Sequence, residues 1–171
     1  MTAGLEQAAA ELVHFCASIP DPIFFLRPGD KWSPAQQVKH LVTSTKAATL
    51  AYTLPKWVLR WRVGKPNRPS RTFEELVARY KVKLEQGGRA GGAFIPDPVP
   101  AGYGKDKLLG EFSAAMGKMS RALQKKWKEP QPDAYIAPHP LLGKITLREL
   151  VYFTIYHTGH HLAGIRKGLP A

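Results

Sequence analysis

Three histidines crowd the stretch YHTGHHLAGI, residues 156–165: His157, His160 and His161. Imidazole nitrogens are the commonest protein ligands for divalent transition metals, and side chains four apart on a helix stand one above the other on a single face. A helix turns about 100° per residue. The apolar residues Leu147, Leu150, Val151, Ile155, Leu162 and Ile165 centre about 80° round from His157. His161 lies about 40° towards that centre and His157 sits on its shoulder, whereas His160 falls about 60° the other way. His157 and His161 therefore face an interior together at chelating spacing, with His160 at the edge. Two imidazoles buried without partners cost on the order of 1–3 kcal/mol each, so a third ligand is sought elsewhere.

His40 supplies one. It precedes the apolar pair Leu41 and Val42, and Ser44, Ala47 and Ala51 lie within about 40° of it on the same wheel, while Lys39 and Lys46 point away. Small side chains on the turns that follow leave room for an ion and a water; the same alanines also allow close helix packing. Three neutral imidazoles on a divalent ion leave a position for water or substrate, the arrangement of catalytic rather than closed structural sites. Zinc and nickel both suit imidazole, and manganese and iron are compatible with it.

Other candidates stand around this trio. His139, in APHPLLGK, precedes the ligand helix and could reach the open face of the site as an acid/base or substrate contact, or lie on a surface loop. His160 could act behind the ligands, paired with Glu149, and Tyr156 and Trp32 could wall a pocket or belong to the core. His14 has no partner in view. Glu149 is claimed by a capping box.

Five helical segments must position these residues. The first runs from about Leu5 to Ile19 and stops at PDP. The second starts at KWSPAQQVKH, with Ser33 as N-cap and Pro34 at the first helical position, and continues to about Leu54 ahead of Pro55. Thr72 and Glu75 form a capping box that opens a third helix running to EQGG. A fourth covers about Asp106 to Lys128. Thr146 and Glu149 form a second capping box opening the last helix, which runs to Gly168. GGRAGGAFIPDPVPAGYGK and EPQPDAYIAPHPLLGK are irregular, and the first exceeds ordinary loop lengths, so it is functional or mobile. No alternating stretch is long enough for a sheet and no repeat is present. The expected fold is all-α: a four-helix bundle with an extra helical segment and long Gly/Pro-rich connections, in one domain over residues 1–171.

Bulk properties exclude several classes. The 171 residues are 44% apolar, which fits a soluble globular domain. The single cysteine, Cys16, excludes an internal disulfide framework and a thiolate metal cluster, and points to a reducing compartment. The N-terminal stretch carries Glu6 and Glu11 and no basic lead-in, reading as an amphipathic helix rather than a signal peptide, and no run spans a bilayer. The expected location is cytoplasmic. With 25 Lys+Arg against 13 Asp+Glu, the formal charge is +12, which favours anionic partners or simply solubility. Lys56, Arg60, Arg62, Lys65, Arg68 and Arg71, interleaved with Trp57 and Trp61, could bind single-stranded nucleic acid or an anionic membrane. No dedicated nucleic-acid motif accompanies them, so nucleic acid is not expected. The preferred reading has the two tryptophans docking a helix extension while the charges stay solvated.

KWSPAQQVKHLV, followed more than a hundred residues later by HPLLGKITLRELVYFTIYHTGHHLAGI, resembles the DinB/YfiT-like metalloenzyme superfamily, in particular its DinB-like group. The likeness lies in a tryptophan and capped helix start ahead of one histidine, then H-x-x-x-H on a helix near the C-terminus, and it spans nearly the whole chain. It implies a four-helix bundle holding a divalent ion on three histidines, here His40, His157 and His161, the trio the helical wheels select. It also implies kinship with thiol-cofactor-dependent transferases and isomerases. The resulting expectation is a metal-dependent S-transferase or related enzyme acting on a small-molecule thiol or anionic substrate. A homodimer is compatible with the sequence. The alternative is a non-catalytic basic protein that binds nucleic acid or an anionic membrane surface, with a structural or vestigial metal site.

Overall fold

In the first helix, Leu5, Ala9, Leu12 and Cys16 recur every three to four residues and are buried together, the stripe by which an amphipathic helix docks. This helix is α1, Thr2–Ser18, in a computed structural model that describes residues 1–169. The chain continues through α2 (Asp21–Phe25), α3 (Pro34–Thr53), α4 (Lys56–Arg62), α5 (Phe73–Glu85) and α6 (Lys105–Lys126) to β1 (Ile136–His139), β2 (Gly143–Thr146) and α7 (Leu147–Gly168). Short 3₁₀ turns at Gly92–Phe94, Ala101–Tyr103 and Gln131–Ala134 interrupt the connections.

The long helices α1, α3, α6 and α7 form the bundle. Helix α3 packs between α6 and α7, and α1 packs against the same two from the opposite side. Leu5, Leu12, Leu41, Phe112, Met119, Leu147 and Ile165 are fully or almost fully buried between them. Helix α5 lies outside the bundle against α7. The fold is all-α in its architecture, as the spacing of apolar residues and the caps predict.

Each expected helix start is realised. Ser33 accepts from the Gln36 amide, and the Gln36 side chain accepts from the Ser33 amide in return, so α3 opens on a full capping box with Pro34 at its first position. Thr72 with Glu75 and Thr146 with Glu149 do the same for α5 and α7. Helix α3 ends at Thr53, with Leu54 as its C-cap ahead of Pro55, and α6 ends at Lys126, two residues short of the expected stop.

Three features depart from expectation. The stretch before α7 is not wholly irregular: β1 and β2 pair antiparallel, with Ile136 opposite Thr146 and His139 opposite Gly143. Gly143 takes φ 74° at the turn, a conformation that favours glycine. Four-residue strands containing Pro138 leave no alternation to detect, and Thr146 serves both as the last strand residue and as the N-cap of α7. The basic stretch does form a helix, α4, but Leu59 docks it, while Trp57 and Trp61 stand 70% and 74% exposed. The reading of those tryptophans as docking residues is therefore corrected: four apart, they share the outward face. Finally, Glu149 does not pair with His160. It is fully buried and receives Arg68 through both guanidinium Nη atoms, at 2.7 and 2.9 Å, and Arg71 through its backbone amide and side chain.

Tyr52 ties the end of α3 to the start of α7. Its hydroxyl, fully buried, donates to the Leu147 carbonyl at 2.6 Å, and the Trp127 indole donates back to the Tyr52 carbonyl at 3.0 Å. Replacing Tyr52 by phenylalanine removes one hydrogen bond and keeps the ring, so we expect a loss of about 1 kcal/mol. That corresponds to a thermal midpoint lower by about 2–4 °C for a chain of this size, read by calorimetry against wild type. An unchanged midpoint would show that this bond contributes nothing net.

Candidate metal centre

The cap on α3 places His40 on its second turn, facing α7. The cap on α7 sets His157 and His161 three turns further along that helix, facing back. His40 Nε2 lies 3.2 Å from His157 Nε2, and His161 Nε2 lies 3.1 Å from the same atom. The three candidate ligand atoms all fall within 4.8 Å of one another. His40 and His157 are buried and His161 is half-buried.

The other ring nitrogens decide what these atoms carry. His40 Nδ1 lies 2.7 Å from the Phe94 carbonyl, and His161 Nδ1 lies 3.1 Å from Gln37 Oε1. An oxygen acceptor requires a proton on Nδ1 of a neutral ring, so Nε2 of both rings presents a lone pair to the common centre. His157 can supply at most one proton to that space. Burial pushes His157 and His161 well below the ordinary imidazole range, reinforced by the neighbouring histidines, and it lowers His40 against the opposing pull of the Phe94 carbonyl. Neutral rings with converging lone pairs are the form that ligates a metal. Four-coordinate zinc with bonds of 2.0–2.1 Å places its nitrogens about 3.3 Å apart, close to the two Nε2 separations here. The residues fit a divalent ion held on His40, His157 and His161, with an open side.

Packing fixes the rings. Phe153 stacks on His157 with centroids 4.8 Å apart, and Trp32 stacks near-parallel to His161 at 6.3 Å and tilts against His40 at 5.2 Å. Trp32 thus walls the site. Tyr156 does not line it; Tyr80 from α5 does. The open side gives onto a cleft of about 1010 Å³.

A family model for the DinB superfamily matches residues 4–165. The chain belongs to the DinB superfamily. No curated protein matches it. Membership and the three-histidine cluster are both compatible with a metal-binding enzyme of the DinB type. Among the described residues, no helix of this DinB-superfamily chain is long and apolar enough to cross a membrane.

The remaining candidates sort by position. His139 lines the same cleft from β1, with its ring edge-on to Phe153 at 4.2 Å. Its Nδ1 accepts from the amides of Leu141 and Leu142, at 3.2 and 3.1 Å, so the proton of the neutral ring sits on Nε2. Burial pushes its pKa down to about 4, which leaves it a hydrogen-bond donor rather than an imidazolium near neutrality. His160 is exposed at the cleft edge, 5.5 Å from the His161 ring centroid to centroid. His14 is exposed on α1, outside the cleft. Cys16 is buried among apolar side chains that push its thiol up to about 12, so it is no nucleophile.

Sequence reasoning missed Gln37 and the Phe94 carbonyl, which orient two of the three rings. Gln37 lies one turn ahead of His40 and reaches a residue 124 positions away. Gly164 leaves room for it: a Cβ there would lie 3.2 Å from Gln37 Oε1. Gln37→Leu is expected to weaken divalent-metal affinity about 10–100-fold with all three ligands intact, and Gly164→Ala to act in the same direction more weakly. Competition titration with a chelator of known affinity reads both; equal affinities would show that the ring needs no such anchor.

Proposed function

We propose that this protein is a metal-dependent enzyme, with His40, His157 and His161 as ligands, that joins a small-molecule thiol to a second substrate. The convergence of three Nε2 atoms at the inner end of a large cleft is the observation that carries this reading. A divalent ion held there, zinc or nickel foremost, supplies Lewis acidity and lowers the pKa of a thiol or water at its open position.

The chain's own residues do the rest. The Phe94 carbonyl and Gln37 hold the protons of His40 and His161 on Nδ1, so that both Nε2 lone pairs stay available. Phe153 and Trp32 keep the rings from turning and keep water from their flanks. His139 offers an Nε2–H donor to a substrate in the cleft. Because Cys16 is buried and protonated, the sulfur nucleophile comes from outside, and a cytoplasmic setting with its reduced thiols suits that need.

Elemental analysis of protein purified without chelators should return about one divalent ion per chain. A screen of cysteine, glutathione and related thiols with chlorodinitroarene electrophiles should then show conjugation that stops on metal removal. Absence of any ion in the wild type, or conjugation that persists after stripping, overturns the reading.

One observation favours a second reading, a basic protein that binds an anionic membrane surface: Trp57 and Trp61 are exposed on one face of a helix whose other residues include Lys56, Arg60 and Arg62. Co-sedimentation with phosphatidylserine vesicles that is abolished in a Trp57→Ala/Trp61→Ala variant is its test; no vesicle binding by the wild type removes it.

A further inference from the structure

A small thiol fills only part of this cleft. Pockets for drug-sized ligands run to roughly 300–1,000 Å³, and the cavity here is about 1010 Å³. Its shape follows from α3. His40, Ser44, Ala47, Ala48, Ala51 and Leu54 all line it; apart from the adjacent pair Ala47 and Ala48, successive members are three or four residues apart, which keeps them on one face. From His40 to Leu54 that stripe covers about 21 Å of helix axis. It starts at the histidines and ends at α4, where Leu59 and Val63 line the far end.

Chemistry changes along this length. The nitrogens converge at one end; the middle is floored by alanines; the far end is aliphatic. The opposite wall carries Tyr80 and Leu84 from α5 and Leu150 and Phe153 from α7, again largely apolar. Leu50 and Leu54, 61% and 40% exposed, leave aliphatic surface open at the cleft's outer part. Arg62 also borders the far end and makes no ion pair among the described residues. Among the described residues the lining carries three cations, Lys31, Arg62 and Arg89, and one carboxylate, Asp30, so its charge balance favours an anion.

We propose that the cleft binds a long-chain anionic amphiphile, its apolar chain along the α3 stripe from Ser44 to Leu54 and its anionic group at Arg62. The inference goes beyond the metal-dependent reading above by naming a ligand class for the same cleft, and binding of the chain itself needs no ion.

Calorimetric titration of chelator-treated protein with octanoate, decanoate and dodecanoate tests it, since stripping removes any carboxylate–metal contribution. Affinity should rise about fourfold per added methylene, and dodecyltrimethylammonium should bind at least about fivefold more weakly than dodecanoate. Ala51→Trp, in mid-stripe, and Ala48→Phe, at a half-buried position, should each weaken dodecanoate binding tenfold or more. Arg62→Glu should weaken it at least about fivefold while leaving the chain-length slope intact. Affinity independent of chain length in the wild type, or wild-type affinity in both stripe variants, overturns the proposal. A chain that holds no ion yet shows the slope overturns only the metal reading; a chain that holds its ion and shows no slope overturns only this one.

Discussion

Replacing His157 by alanine should abolish metal binding. His157 Nε2 is the shared vertex, 3.2 Å from His40 Nε2 and 3.1 Å from His161 Nε2, so its loss leaves two ligands that no longer share a near neighbour. Removing an outer-shell partner of a metal histidine costs roughly 10–100-fold in affinity; removing this ligand should exceed that range and leave far less than one ion per chain after gel filtration. The fold should survive, because His157 lies on a helix whose packing rests on Leu147, Leu150, Val151, Leu162 and Ile165. Helical circular dichroism near wild type, together with elemental analysis showing metal loss, is the expected pair of results. Retained stoichiometry in this variant, and likewise in His161→Ala, would overturn the ligand set.

The largest effect on stability should come from Glu149. Its carboxylate is fully buried, closes the α7 capping box through the Thr146 amide at 2.9 Å, and is the common acceptor for Arg68 and Arg71. Breaking a buried pair from one side costs roughly 3–5 kcal/mol. Both arginines keep some contact with solvent, at 30% and 22% side-chain exposure, which argues for the lower end, about 3 kcal/mol. Glu149→Ala should therefore melt about 6–12 °C below wild type. Burial pushes the carboxyl up, but the Arg68 hydrogen bonds, the amides of Arg71 and Thr146 and the Arg68 charge outweigh it and hold the group below its ordinary value. A folded-state value below the unfolded one means stabilisation that is full above the unfolded value of about 4.3 and is lost as pH falls through the folded value. The gap in melting temperature between wild type and Glu149→Gln should thus be wide at neutral pH and narrow in acid. A gap independent of pH would show that the charge is not what stabilises.

The helices were legible because their signals are local. Ser33, Thr72 and Thr146 each sit three residues before a Gln or Glu, and each opens a helix. The inward pair on α7 was legible for the same reason: periodicity alone separates His157 and His161 from His160, and the structure buries the first, half-buries the second and exposes the third. The contribution of the Gly/Pro connection was not legible, because it is made by a backbone carbonyl, and any residue at position 94 carries one. Gln37 gave no signal either, since its partner arrives from the far end of the chain. Trp57 and Trp61 misled because two tryptophans at helical spacing usually dock. Here Pro55 turns α4 so that Leu59 faces inward and the indoles face out.

The hydrogen bond from His40 to the Phe94 carbonyl, 2.7 Å long, has a thermodynamic corollary. If His40 holds an ion as proposed, the connection between α5 and α6 takes part in that ligation, and seating of the segment and occupancy of the imidazoles are two ends of one equilibrium. Linkage then requires reciprocity: whatever factor the seated segment adds to ion affinity, a bound ion returns to the seating of the segment. An ion would in that way also tighten the rim of the cleft through which substrates must pass.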